Sequence, residues 1–447
     1  MGVVLVLGLG ESGFWASRLV MEVLRLPLLV MDDSGDVEAR ALELAERARV
    51  LGLPFEARFG GRFSLPSNVS LVVVSPGVPS HHPLLLEAQY KGVKVVSELE
   101  LAFAHAGSPI VAITGTNGKT TVTSMLAHLL RQEGVEVWMG GNIGTPFSRM
   151  VVEGMRPEWV VLEISSFQLE WVEAFRPTVG AILNIGEDHL DRHGTMEEYL
   201  ALKLRLAARQ GEGDAFLING DDPLLRRRVL CEGRLYHFSM VRSVERGMGI
   251  VGETLVWRDE REEMLELEAL PQWACLHLDN VVATMALGRI LGLSMEGMAA
   301  ALGSYALPPH RLELVSEKGG IRFYNDSKAT NPPAVARALA LLEGPVVLLM
   351  GGRNKGFCFD SLKNIVRKKV KALVVFGEAG EEIARDLRGL GISILKCRRL
   401  EDAVARALEV AKRGDDVLLS PGCASFDEFS SYKERGDFFR KMVQKAS

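Results

Sequence analysis

Lys119 sits between two glycines and two hydroxyl residues, in the stretch Ile110-Val-Ala-Ile-Thr114-Gly115-Thr116-Asn117-Gly118-Lys119-Thr120-Thr121. The apolar, mostly β-branched lead reads as a buried strand, the glycines allow a tight turn, and 122–131 reads as a helix. Such a loop aims backbone N–H groups and a helix N-terminus at one point, which suits an anion. Lys119 adds a point charge for β- and γ-phosphates and the Thr120 hydroxyl can enter a magnesium shell, so ATP or GTP is the expected ligand. The general phosphate-loop pattern would place its first glycine at position 113, where this chain has Ile113, which separates it from ordinary kinases and GTPases.

Other chemistry-bearing groups fall at the ends of apolar runs. Gly8-Leu-Gly10-Glu11-Ser12-Gly13 follows the run 3–7, and Asp32-Asp33 lie about twenty residues further on, the form of a dinucleotide fingerprint. Alone it supports an NAD-dependent oxidoreductase; beside the stronger triphosphate loop it reads as a second nucleotide site, for a nucleotide-linked substrate. Glu163 stands in the apolar run Val160-Val-Leu-Glu-Ile164. A charge there costs several kcal/mol unless paired or metal-bound, so it is either a magnesium ligand or a salt-bridged core glutamate. His189 and His193 have the spacing of a zinc pair without a third ligand, in what reads as a loop, and His189 alone reads as structural. Lys203, on a helix expected over 197–209, reads as solvated, as does Arg226-Arg227-Arg228.

The elements that must position these groups alternate strand and helix throughout. At 447 residues the chain exceeds one compact core and about 150 residues per domain suggests three. The expected boundaries are 1–98, 99–307 and 308–447: a Rossmann-like first domain, a central phosphate-loop domain with a mainly parallel sheet, and a Rossmann-like third domain. Strands are expected at 28–31, 71–74 and 93–96 in the first. The second has helix 280–291 and only short antiparallel strands over 231–275. The third has strands 321–324, 346–350, 372–376 and 417–419, each running into a polar or glycine loop. Hydrophobic residues at 47% and charged residues at 24% describe a soluble globular chain, and a net charge of -5 argues against a broad basic nucleic-acid face. Five scattered cysteines without a C-x-x-C pair indicate neither disulfides nor zinc and suit a reducing cytoplasm. No basic region precedes the first apolar run and no 18-residue apolar segment occurs, so neither secretion nor a membrane span is expected.

The loops taken together carry a resemblance. Thr114-Gly-Thr-Asn-Gly-Lys-Thr120, Leu162-Glu-Ile-Ser-Ser-Phe-Gln-Leu-Glu170, Glu187-Asp-His-Leu-Asp-Arg192, Asn325-Asp-Ser-Lys-Ala-Thr-Asn331 and Leu419-Ser-Pro-Gly-Cys-Ala-Ser425 occur in the order seen in the Mur ligases. The chain resembles that family from the Gly8 loop to Tyr432. The second and fourth stretches look particular to the D-glutamate-adding branch.

The resemblance implies an ATP-dependent amide ligase of peptidoglycan precursor synthesis, and through it of cell wall, cell shape and cell division. It would act in the cytoplasm as a monomer on UDP-N-acetylmuramoyl-L-alanine, D-glutamate and ATP, without nucleic-acid partners. Gly10, Glu11, Ser12, Asp32, Asp33, Ser75 and Asn142 would hold the UDP-linked substrate. Gly115, Thr116, Asn117, Gly118, Lys119, Thr120, Thr121, Asn280, Arg311 and Asp326 would bind ATP, with Lys328 approaching the nucleotide. Thr120, Glu163, His189 and Lys203 would serve magnesium, Lys203 as a carbamate. That carbamate forms only from the neutral amine, so the usual lysine pKa of about 10.4 must be offset locally. Thr330, Lys355, Ser425, Phe426 and Tyr432, with His189, would meet D-glutamate. Lys119, Glu163, His189, Lys203 and Lys328 would form the catalytic set, and closure of the third domain on the second is expected. The chain departs from the usual pattern at Asp33, where a hydroxyl residue is common, at His277, where asparagine is usual, and at Tyr432, where phenylalanine is usual. An oxidoreductase built on the Gly8 loop and an ATP-binding regulatory protein are the alternative readings.

Overall fold

The computed structural model describes residues 2–35, 37–61 and 63–445. The chain separates into two compact units: one runs to Ile185 and resumes over Arg192–Tyr305, and the other takes Gly186–Asp191 and the chain from Ala306 onward. It is an α/β protein with three mainly parallel sheets.

In the first unit β1 (Val3–Leu7), β2 (Leu28–Asp32), β3 (Phe55–Phe59), β4 (Val69–Val74) and β5 (Lys94–Ser97) form a parallel sheet in the order 3-2-1-4-5. The near-continuous Val/Leu runs of β1, β2 and β4 suit strands covered on both faces. A second sheet contains β6 (Ile110–Thr114), β7 (Val137–Gly141), β8 (Trp159–Glu163), β9 (Val179–Ile182), β10 (Ala215–Asn219), β11 (Arg234–Ser239), β12 (Gly247–Val251), β13 (Thr254–Arg258) and β14 (Glu262–Glu266). Its order is 14-13-12-11-10-9-6-8-7, so the loops after β6, β7, β8 and β9 lie side by side. Over 231–275 short antiparallel strands were expected; β12–β13 and β13–β14 do pair that way, but β11 pairs in parallel with β10 and β12 in parallel with β11. Local periodicity cannot register a pairing decided by the neighbouring strand.

The helix after β6 spans Lys119–Gln132, three residues earlier than apolar periodicity suggested, because Gly118 at φ +86 turns the chain straight into it. Two further differences concern the stretch behind the second site loop. Leu190–His193 is a single helical turn where a loop was expected. The helix carrying Lys203 spans Met196–Leu204, and 205–208 continue as turns bonded three residues back.

Where the first sheet passes into the second, acidic side chains replace water. Glu100, 6% exposed, accepts the backbone N–H groups of Glu173, Ala174 and Phe175 at 3.1, 2.8 and 3.0 Å. Glu98 accepts from Ser148 N at 2.6 Å, and burial pushes its carboxyl up.

In the second unit β15 (Glu313–Lys318), β16 (Ile321–Asn325), β17 (Val346–Gly351), β18 (Val370–Phe376), β19 (Ser393–Lys396) and β20 (Asp416–Gly422) form a sheet in the order 15-16-20-17-18-19. All neighbours are parallel except the β15–β16 hairpin, which turns on Gly319 and Gly320, both at positive φ. β15 escaped the sequence reading because its charged residues interrupt the apolar alternation.

Among the described residues no helix is long and apolar enough to cross a membrane. Cys275 and Cys358 are exposed, Cys231 and Cys397 partly covered, and Cys423 buried.

Replacing Glu100 with alanine leaves three backbone N–H groups, that of Phe175 buried, without their acceptor. The expected loss is about 3 kcal/mol of folding stability, read from the shift in urea midpoint; an unmoved midpoint would show that the carboxylate is dispensable.

Candidate active site

Four neighbouring strand ends build the first cluster. After β6 the phosphate loop is braced by Asn184, which follows β9: its side chain accepts from Asn117 N at 2.8 Å and donates to Asn117 O at 3.1 Å, while its carbonyl accepts from Thr116 N. The Lys119 ammonium donates to the carbonyls of Gly115 and Thr116 at 2.8 and 2.9 Å, so it lies over the loop it belongs to. A Cβ on Gly118 would collide with the Asn280 side-chain oxygen, which places Asn280, on helix Leu278–Ile290, directly against the loop.

Glu163, at the end of β8, is 3% exposed. Its Oε2 accepts from the Thr120 hydroxyl at 2.6 Å and its Oε1 from the Asn142 amide at 2.7 Å. Both partners are neutral, and among the described residues no ion pair is formed with it. A carboxylate and a hydroxyl beside a phosphate loop are the hard oxygen donors magnesium prefers, so the residues present fit that ion. Lys203 is 1% exposed; its ammonium donates to Thr114 Oγ1 at 3.2 Å and Gly115 O at 3.1 Å and lies 4.5 Å from the Tyr199 ring centre. The expectation of a solvated lysine is thereby corrected: its burial depends on Thr114 and Gly115 from another element, which the residue types along its own helix do not reveal. Arg226, Arg227 and Arg228, by contrast, are exposed.

Gly10, Glu11, Ser12, Asp32, Asp33, Ser75 and Asn142 all line one cavity of about 530 Å³, together with Pro76–Pro79, His82 and Gln168. It lies at the carboxyl ends of β1, β2 and β4, as nucleotide crevices in open parallel sheets do. Gly13 belongs to the same turn for a packing reason, since a Cβ there would collide with Gly8 O. Asp32 is largely committed to backbone, accepting from Leu9 N at 2.5 Å and Ser34 N at 2.8 Å. Asp33 is the outward carboxylate, 3.3 Å from His82 Nε2; His82 Nδ1 accepts from Leu84 N, which leaves Nε2 to carry the proton toward Asp33.

The second unit holds the remaining expected residues. The loops after β16, β20 and β17 adjoin, and Arg353 and Ala424 exchange both backbone bonds, which ties the loop of Lys355 to that of Ser425 and Phe426. Arg435, fully buried, donates to Ser327 Oγ, Ser327 O and Cys423 O at 3.0, 2.9 and 3.1 Å, fixing the loop of Lys328 and Thr330 against that of Ser425. Burial lowers its guanidinium to about 10, still cationic at neutral pH. Lys328 Nζ lies 4.1 Å from the Tyr432 ring centre. Asp326 accepts from Ser420 Oγ and Leu312 N; burial pushes its carboxyl up to about 7, against the hydrogen bonds and the charges of Arg337 and Arg311. His189 takes a left-handed φ of 54°, with its ring 3.6 Å from Asp188, whose carboxylate also accepts from His189 N at 3.0 Å and from the Asn331 amide at 3.4 Å. Ser425 is buried and Phe426 is 63% exposed.

A Mur ligase middle-domain model matches residues 113–242 and a Mur ligase glutamate-ligase-domain model matches 310–423. The chain is 39% identical to the UDP-N-acetylmuramoylalanine–D-glutamate ligase of Syntrophus aciditrophicus, covering 98% of this chain and 97% of that one. It is 40% identical to the protein of the same name from Pelotomaculum thermopropionicum, at the same coverage. The chain belongs to the Mur ligase family. Two solved structures share the fold: a pseudomurein peptide ligase type C from Methanothermus fervidus (TM-score 0.62, 15% identity, all of both chains) and a MurF ligase from Thermotoga maritima in complex with ADP (TM-score 0.61, 19% identity, 94% and 96%).

Within this Mur ligase, residue types and spacing do not single out Asn184, Arg435, Tyr199 or Arg192, which pairs with Glu170 at 2.7 Å, as site-supporting residues. Asn184 stood at a strand end, the one signal that could have found it; the others meet their partners only across the fold.

Asp326 generates a pH signature. Its unfolded carboxyl titrates near pH 4 and its folded one near 7, so between about pH 4 and 7 the folded protein holds a proton the unfolded chain has released. Stability from this group is therefore lost as pH rises through that window. Asp326→Asn should flatten the decline of the urea midpoint between about pH 5 and pH 7.5; an unchanged slope would assign the dependence elsewhere.

Proposed function

We propose that this protein joins D-glutamate to UDP-N-acetylmuramoyl-L-alanine with ATP, releasing ADP and phosphate. The likeness over 98% of the chain to ligases of that name carries the reading, and the cavity beside β1 and the phosphate loop after β6 are consistent with it. On this reading the cavity beside β1, β2 and β4 takes the UDP-linked acid, the phosphate loop takes ATP, and the loops after β16, β17 and β20 take D-glutamate through Thr330, Lys355, Ser425, Phe426 and Tyr432. The corresponding domains are 1–98 and 308–447, both Rossmann-like, and 99–307, working as a monomer in the cytoplasm.

A free carboxylate is a poor acylating agent, so its oxygen attacks the γ-phosphate and forms an acyl phosphate. Charge on the transferring group is the main demand of that step. Lys119 meets it by leaving the carbonyls of Gly115 and Thr116 for phosphate oxygens, and Lys328 adds a second cation. Magnesium, held by Thr120 and Glu163 with His189 and carbamylated Lys203, would supply further charge neutralisation. Asn142 keeps Glu163 oriented while Asn280 packs at Gly118 near the adenine side, with Arg311 and Asp326 at the nucleotide. The unprotonated amine of D-glutamate then attacks the activated carbonyl, and the tetrahedral intermediate expels phosphate and gives up a proton from nitrogen to leave the amide.

Three outcomes test the reading. ADP release should require both the UDP-linked acid and D-glutamate in a panel of amino acids; turnover with L-lysine or diaminopimelate instead would refute it. Lys119→Ala should cut kcat/KM by about a hundredfold or more, and full activity in that variant would remove the phosphate loop from the chemistry. Lys203→Ala should regain activity with added short-chain carboxylic acids, whereas full activity without them would exclude the carbamate.

A further inference from the structure

Arg192 ties together two walls of the cavity. Its Nε and Nη2 donate to the two oxygens of Glu170 at 2.9 and 2.7 Å, and both side chains are largely buried. The remaining donors reach backbone: Nη1 to Pro76 O at 2.9 Å and Nη2 to Val78 O at 2.8 Å. The guanidinium also lies 4.4 Å from the Phe167 ring centre. Pro76, Gly77 and Val78 line the cavity from one side, and Gln168, on the same short helix as Phe167, lines it from another. Val78 N donates to Ser75 O, and Ser75 Oγ donates to Gly8 O at 2.7 Å, so the position of this turn is passed on to the glycine loop after β1.

We propose that Arg192 is a positioning residue for the UDP-linked acid, setting the width of the cavity through Glu170 and the Pro76–Val78 turn. This rests on the reading that the cavity takes that substrate. A planar fork with donors on three nitrogens meets four acceptors that lie in different directions; a lysine ammonium, with three donors at one point, cannot span them. The residue touches no reacting atom, so its loss acts on how well the walls fit the substrate, and Glu170 is the part of the device that keeps the fork from turning. An ion pair that merely stabilised the fold would lower the melting temperature and leave the Michaelis constants alone.

The test is steady-state kinetics of the full chain with each substrate varied in turn. In Arg192→Lys the KM for UDP-N-acetylmuramoyl-L-alanine should rise tenfold or more, with the KM for ATP within twofold of the parent and kcat within about threefold. Glu170→Gln, close in volume, should shift the same KM in the same direction by less. The double variant should be no worse than Arg192→Lys alone, because the two act as one unit. A parent enzyme that turns over normally while both variants keep its KM for the UDP-linked acid, or lose kcat and every KM in proportion to a fall in melting temperature, overturns the proposal. A parent enzyme that fails to turn over that substrate overturns the functional reading instead, and this inference with it.

Discussion

Burying a carboxylate costs several kcal/mol unless something replaces its water, and Glu163 sits under that constraint at the end of β8. What replaces the water is a hydroxyl from the phosphate loop on one side and an amide from the loop after β7 on the other. Both are available only because β7, β8 and β6 are consecutive neighbours in a parallel sheet, so that three loops open at one edge. Asn184, arriving from β9 on the far side of β6, holds the phosphate loop in the shape that presents Thr120. The neutral character of these partners matters as much as their number: an arginine in the same place would have satisfied the charge and left nothing for a cation.

Much of this could be read in the chain before folding. The β-branched run, two glycines and Lys119 announce a phosphate loop, and the isolated acid in β8 is conspicuous among valines and leucines. Lys203 was opaque from its residue type and spacing alone, because a lysine among leucines and alanines on a helix has the look of a solvated face. Its burial depends on Thr114, Gly115 and Tyr199, which come from elsewhere. β15 and the parallel pairing of β11 were hidden for the related reason that their partners decide them. Arg435 was hidden completely, since a charged helical residue near the end of the chain gives no sign that three acceptors from two loops will close over it.

Three places in the chain share a mode of construction. Long polar side chains reach back from a helix or turn and hold loop backbone in place: Glu100 on three N–H groups, Arg192 on two carbonyls, Arg435 on two more. Each makes a loop rigid without adding a group that reacts. Loops that must bind charged ligands cannot be buried in apolar residues, and charge-assisted bonds to their backbone are the available means of holding them still.

The cysteines have a practical consequence. Desolvation raises the thiols of Cys231 and Cys397 and pushes Cys423 up to about 12, so the thiolate that reacts with alkylating reagents is scarce at all three near neutrality. Cys275 and Cys358 are exposed, the first in the unit that carries the phosphate loop and the second in the other. The natural chain thus already offers one exposed thiol in each unit, so each unit can be labelled selectively without any engineered residue.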